Sequence, residues 1–226
     1  MSRFIPAFLL LAALAPAEES AETKTARTLF ESMEKKLAAA ASLHVSCKAR
    51  EPREDGDRHD VTFWAAGAKA RMEFNWYGAS KGEMKWTIVS NGESVWRTTT
   101  PGKVVKAGKT PALAIAVGFA RAGSLAITDV DTALRSGNDP GDGTGWTLSE
   151  FSLGKKEVKD GVELQAVEYA VAKGKEDAIR MVLWIDVKTQ LPRRRDVDIS
   201  GWKLAETYEV CEVDPKIEAS KFEEPK

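Results

Sequence analysis

The sequence predicts an α+β protein, mainly antiparallel β, with helices laid against one face of the sheet. Three observations lead there. A helical stripe near the N-terminus gives way at Leu43 to a period of two. Successive alternating runs then follow with no helix-length crossover between them, which is the pattern of a meander. One segment, Thr110 to Gly123, carries a single charge, Arg121, and is apolar on every side when wound as a helix. It is too short to span a bilayer, which takes ~20 apolar residues.

The first element runs over residues 22–42. Ala26, Leu29, Phe30, Met33, Leu37 and Ala40 recur at spacings of three and four, and Glu31, Glu34, Lys35 and Lys36 lie off that stripe. Val45 to Arg50 alternates as the first strand, and a polar turn follows at 51–59. Val61 to Trp64 opens the next strand. In Arg71 to Trp76, Met72, Phe74 and Trp76 share a face, and Met84, Trp86 and Ile88 do the same one strand later. Asn91-Gly92 is a two-residue hairpin signal, with Val95 and Trp96 on the return and Val104 and Val105 in a further short strand. Thr110-Pro111 reads as an N-cap and first helical residue, and Gly123 as the stop. A second short helix is expected over Asp129 to Arg135, capped by Thr128. Residues 137–145 read as a loop whose Asp spacing does not suit calcium. Strands resume at Trp146 and continue through Val162–Ala172, the run Ile179–Ile185 (apolar on both faces), Arg194–Ile199 and Trp202–Val210. Ile217 and Phe222 are expected to dock the tail.

Composition narrows the function. With 226 residues, 43% of them hydrophobic, the chain has enough apolar mass for one domain with a core. Lys plus Arg number 33 and Asp plus Glu 34, a balance that argues against a nucleic-acid partner. The run Arg193 to Arg195 reads as a solvated turn. At the N-terminus, Arg3, the apolar run Phe4–Ala15 and the small residues of Ala15-Pro16-Ala17 form a secretory signal peptide. Residues 1–17 are therefore set aside, and 18–226 are expected as one periplasmic or secreted domain. Export permits a disulfide between Cys47 and Cys211. Cys47 shares a face with Val45 and Ala49, but Cys211 with Thr207 and Glu209, so a bridge and two free thiols both remain open.

Enzymatic signatures are missing. There are two His, His44 in a strand and His59 in a polar turn, and neither has a nucleophile beside it in sequence. No Gly-x-Ser-x-Gly elbow, metal-spaced His pair, Cys-x-x-Cys or phosphate loop occurs. No catalytic residue, metal or cofactor is expected.

Aromatic residues, in contrast, are abundant. Seven Trp are present, and Met72, Phe74, Trp76, Met84, Trp86 and Ile88 would make one apolar surface across two adjacent strands. One helical stripe covers only part of such a surface, and the all-apolar helix is a natural second cover. Loose packing between them would leave room for an acyl chain, each buried methylene contributing ~0.8 kcal/mol.

The order of elements resembles the periplasmic lipoprotein carriers of the LolA type and their LolA-LolB superfamily. "TLFESMEKKLAAAASLHVSCKA", "KARMEFNW", "IVSNGESVWRTTTPGKVV" and "MVLWIDVKTQLPRRRDV" followed by "ETYEV" carry the resemblance across most of the chain. It implies an incomplete, half-open β-barrel capped by helices, with an apolar cavity for lipid or lipoprotein acyl chains and membrane-associated donor or acceptor proteins as partners. The all-apolar helix takes the place of that family's mobile lid. The family's basic residue before a Pro has no counterpart in "AAGAKARM", so no polar functional residue is carried over. The expected ligand liners are Met72, Phe74, Trp76, Trp86, Ile88 and Trp96, under a lid formed by Leu113, Ile115, Val117 and Phe119. The alternative function is a periplasmic sensor or protein-interaction module on the same scaffold, with a filled core and no transported ligand.

Overall fold

The computed structural model describes residues 19–53, 55–78, 82–99, 103–106, 112–138, 141 and 143–225; of residues 99, 103–106, 113 and 114 it describes the backbone. The expected signal peptide and the Thr110-Pro111 cap lie outside the described residues.

Helix α1 (Ala21–Ala38) leads into strands β1 (Ser42–Arg50), β2 (Arg58–Ala66), β3 (Lys69–Gly78), β4 (Gly82–Ser90), β5 (Val95–Thr99) and β6 (Lys103–Lys106). Helices α2 (Ala112–Ala122) and α3 (Ser124–Arg135) follow. Strands β7 (Trp146–Lys159), β8 (Val162–Lys173), β9 (Ile179–Asp186), β10 (Pro192–Ile199) and β11 (Trp202–Val213) complete the sheet, and a 3-10 turn at Ala219–Phe222 ends the chain. All eleven strands form one sheet in the order β6-β5-β4-β3-β2-β1-β11-β10-β9-β8-β7. Two meanders are thus joined by the pairing of β1 with β11; α1 precedes the first, α2 and α3 lie between the two in sequence, and the three helices pack on one face. This is the α+β, mainly antiparallel architecture that the periodicity predicts.

Each helix has a local reason. Ser20 caps α1 by accepting from the Thr23 backbone N–H. The α1 stripe buries Ala26, Phe30, Met33 and Leu37, and Phe30 packs edge-on against Phe151 of β7 at 5.5 Å between ring centroids. Helix α3 begins at Ser124, five residues before the expected start at Asp129. The reason is tertiary: a carboxylate from β11 satisfies the first backbone N–H, so the helix starts there without a Thr cap. Four residues, 91–94, rather than two, join β4 to β5, because the Asn91 Oδ1 accepts from both Glu93 N and Ser94 N.

Both faces of β9 are covered, as its apolar run predicts. Met181, Leu183 and Ile185 point to the helices. On the other phase Trp184 packs with Leu164 and Ala166 in a separate outer cluster. The outer cover comes partly from β7, whose pairing with β8 shifts register twice, between Ser149 and Ser152 and between Leu153 and Lys156. Lys155 of β7 and Arg194 of β10 lie 5.6 and 4.6 Å from the Trp184 ring centre. The tail straps the outer face of β2 and β3: Phe222 is buried, and Lys221 Nζ lies 4.3 Å from the Trp64 ring centre.

Two expectations are corrected. The run Arg193–Arg195 lies inside β10 and is no solvated turn; alternation sends Arg194 outward and Arg195 into the core, where it is 0% exposed. Cys211 does not stay on the polar phase of β11. A bulge opposite Ser46/Cys47 shifts the register, so Cys211 faces Val45. Both cysteines are free. Burial pushes the Cys47 thiol well above its ordinary range and the Cys211 thiol up to about 12, so neither is a reactive thiolate.

Candidate functional site

Helix α2 lies in the centre of the inner face. Ile115, Val117 and Phe119 are 0, 8 and 1% exposed; Leu113 falls on α2, and its side chain lies outside the described residues. Phe119 meets Phe63 of β2 and Tyr208 of β11 edge-on, at 5.1 and 5.3 Å between centroids. Met72, Phe74, Trp86 and Ile88 are buried in the same continuous cluster, with Trp76 half-buried at its margin. Trp96 is a correction. In register it stands opposite Val89, one position out of phase with the Ile88–Met72 row, and so faces outward. Its place on the inner face of β5 is taken by Arg97, which holds the buried Asp131 of α3 through Nε and Nη2.

Among the described residues the interior beneath α2 is closely packed. A gap of about 80 Å³ remains at the N-terminal end of the helix, lined by Leu37, Leu43, Ala65, Ala112 and Ala116 among others. That is smaller than the roughly 150 Å³ cavity that admits a benzene ring, so the gap itself does not take a fatty tail; a second void of about 370 Å³, lined by Gly118, Ala126, Val130 and Trp146 among others, lies between α2, α3 and the start of β7. The surplus apolar wall expected from the sequence is consumed by α3. Starting at Ser124, it brings Ala126, Ile127, Val130 and Leu134 into the core. A larger hollow, about 580 Å³, lies on the outer face across β8 to β11, with Glu168, Val182, Asp196 and Ala205 in one cross-strand row.

The joint between α2 and α3 is made of buried charge. Arg195 Nη1 and Nη2 donate to the carbonyls of Phe119 and Ala120, at 3.1 and 2.8 Å. Tyr169 Oη donates to the next carbonyl, Arg121 O, at 2.8 Å. Ala120 O and Arg121 O lie past the last backbone donor of α2, whereas Phe119 O also accepts from Gly123 N at 2.9 Å. On the other side, Glu206 Oε1 accepts from Ser124 N and Ser124 Oγ at 2.8 and 2.6 Å, and Tyr208 Oη donates to Glu206 Oε2 at 2.6 Å. Arg195 and Glu206 lie 3.5 Å apart and are 1 and 0% exposed at the side chain. A cation thus closes the negative end of α2, an anion closes the positive end of α3, and each neutralises the other. Farther out, the Arg121 guanidinium grips Glu34 of α1 and donates to Thr144 O and Trp146 O.

His59 completes the network. Its ring stacks on Phe74 at 5.1 Å, and Nε2 lies 2.8 Å from Ser124 Oγ. The single Ser124 hydroxyl proton goes to the carboxylate, so Nε2 carries the proton and Ser124 accepts it. This Ser–His pair is built as a helix cap. The hydroxyl is committed to Glu206, and Ser124 is 1% exposed, so no substrate reaches it. Among the described residues no cluster of three or more His, Cys, Asp or Glu side chains is placed to hold a metal.

Burial holds the His59 pKa below its ordinary value, against the opposing pull of Glu206 and with help from Arg50; Asp60 and Asp57 act weakly in the direction of Glu206. The unfolded chain then takes up this proton more readily than the folded one. Stability from this group is present above about pH 6.5, the unfolded value, and is lost as pH falls from there toward the folded value. Urea unfolding at pH 7 and pH 5 should therefore show a smaller acid loss in His59→Phe, which keeps the ring on Phe74, than in the parent chain.

Sequence reading missed Gly123, Ser124, Arg195, Glu206 and Tyr208 as parts of this site. One signal was available: Leu204, Glu206 and Tyr208 share a strand phase, so a charge sits on the apolar side of β11.

No family model matches the sequence, and no curated relative matches it. Solved structures do resemble it. LprF from Mycobacterium bovis aligns at 13% identity over 83% of this chain and 93% of its own, with a TM-score of 0.47. The lipoprotein LppX from Mycobacterium tuberculosis aligns at 12% identity over 84% and 99%, also at 0.47. A LolA superfamily protein from Nitrosomonas europaea aligns at 10% identity over 88% and 97%, at 0.32. At these identities the likeness is one of fold.

Proposed function

We propose that the chain is an exported, non-enzymatic acyl-chain carrier in its closed, unloaded state, with α2 as a plug that a guest displaces. The observation that supports this reading is the placement of α2. An all-apolar helix occupies the concave face, its described polar fastenings gather at the C-terminal end, and the 80 Å³ gap lies at the other. A helix so held swings about Gly123.

The energetics suit reversible exchange. Burial of Ile115, Val117 and Phe119 contributes about 1.5–3 kcal/mol each, and an acyl chain of a dozen methylenes contributes ~0.8 kcal/mol per methylene. The two sums are of similar size, so loading trades one apolar occupant for another with a small net change. The liners under this reading are Met72, Phe74, Trp76, Trp86 and Ile88. A displaced α2 exposes apolar surface, which calls for a membrane-associated donor or acceptor to receive it.

Native mass spectrometry of the protein purified without detergent should show co-purifying lipid, and a fatty fluorescent probe should bind. A clean apo mass together with no probe binding refutes the carrier. The closely packed interior favours a second reading, an interaction module with a permanent core. Val117→Asp separates the two. In a carrier it leaves a folded sheet that no longer retains the probe. In a permanent core it unfolds the domain, because a buried unpaired charge costs several kcal/mol.

A further inference from the structure

Trp86 stands on the inner face of β4, 7% exposed, and its Nε1 is buried with no hydrogen-bond partner. Its ring is fixed in place: Phe74 stacks on it at 3.8 Å between centroids and 18° between planes, and His59 stacks on the far side of Phe74. Burying an indole N–H without an acceptor is unfavourable, and phenylalanine would fill the same place in an aromatic stack without that penalty. The inner wall therefore keeps a donor that the closed state does not use. Among the described residues, Arg195 Nε is also orphaned but belongs to a guanidinium whose charge Glu206 already answers, and Thr189 Oγ1 and Arg193 Nε lie away from this wall, in the turn after β9 and in β10.

We infer that Trp86 is the polar anchor of the interior, its indole N–H donating to the carbonyl oxygen of an ester- or amide-linked acyl chain. The inference rests on the carrier reading and names the ligand class for it. A lone neutral donor suits a neutral carbonyl. Among the described side chains, the cations that face the interior, Arg97 and Arg195, are already held by Asp131 and Glu206, so a free carboxylate gains no neutralising partner from them. The ligand class is thus acylated molecules rather than free fatty acids.

The test is competition of hexadecane, methyl palmitate and palmitate against a fluorescent apolar dye at neutral pH, in the full chain and in Trp86→Phe. The parent chain should prefer methyl palmitate to hexadecane by about 5-fold, the scale of one neutral hydrogen bond. Trp86→Phe should lose that preference and leave hexadecane binding unchanged. The indole N–H resonance of Trp86 in the ¹⁵N-labelled parent chain should move on adding methyl palmitate and not on adding hexadecane, a readout that needs no variant. If all three compounds bind alike and the resonance stays still, the anchor is refuted and the carrier stands. Tighter binding of palmitate than of its ester refutes the anchor as well. If none displaces the dye from the parent chain, both fall together.

Discussion

Arg195→Met is expected to lower the stability of the folded chain by about 3–5 kcal/mol, the cost of leaving one partner of a buried ion pair alone. The side chain is 1% exposed and its partner Glu206 is 0% exposed, so water cannot re-solvate the stranded carboxylate. In the same step Ala120 O loses its donor and Phe119 O is left with Gly123 N alone. Against a total of about 5–15 kcal/mol for a typical domain, this is a large fraction. The neighbouring change Arg194→Met is the control. Arg194 lies on the outer phase of the same strand, 30% exposed, and pairs with Asp196 and Glu157 at the surface. Its loss should cost no more than about 1 kcal/mol. Urea midpoints for the two variants, at equal slope, measure the contrast. Near-equal losses would mean that the Arg195 pair does not hold the joint.

The same two residues show where sequence reading reaches its limit. Strand periodicity placed Met72, Phe74, Trp86 and Ile88 on one wall, because period-two alternation is set within each strand. It also marked both faces of β9 as covered. Trp96 lies outward because its partner Val89 alternates with the inner Ile88; a two-residue hairpin at Asn91-Gly92 sets it opposite Thr87, on that same outer phase, so Arg97 takes the inner place under either turn. Cys211 leaves its expected phase for a different reason: a bulge adds one residue to β11, and every position beyond it changes sides. The start of α3 and the depth of Arg195 were not legible locally. Each depends on the other through Glu206, which lies 82 positions from Ser124 in the chain. Charge runs are usually solvated, but the alternation of β10 puts Arg195 in phase with Val197, on the buried side.

Gly123→Ala should be the other severe change, with a loss of at least about 3 kcal/mol. Two separate causes act on it. Gly123 sits at φ 59 and ψ −137, between α2 and α3, a conformation that side chains other than hydrogen strongly resist. A β-carbon there would also overlap Arg195 Nη1 and both carboxylate oxygens of Glu206. Those atoms cannot retreat, since the guanidinium is bound to α2 carbonyls and the carboxylate to Ser124 and Tyr208. Gly67→Ala is the reference for a positive-φ glycine with open space round the added carbon. Gly67 has φ 57 and nothing within 4 Å of the added carbon, so it should lose only the roughly 1–2 kcal/mol of a left-handed alanine. The excess of Gly123→Ala over Gly67→Ala then holds the contact with the charge pair together with any added backbone strain at ψ −137, and the part that disappears in Arg195→Met, where one of the opposing groups is gone, reports the contact. Equal losses for the two glycines would show that Gly123 is needed for its backbone angle alone. The joint would then be an ordinary helix break, and a lid turning there would have no charge clamp to hold its end.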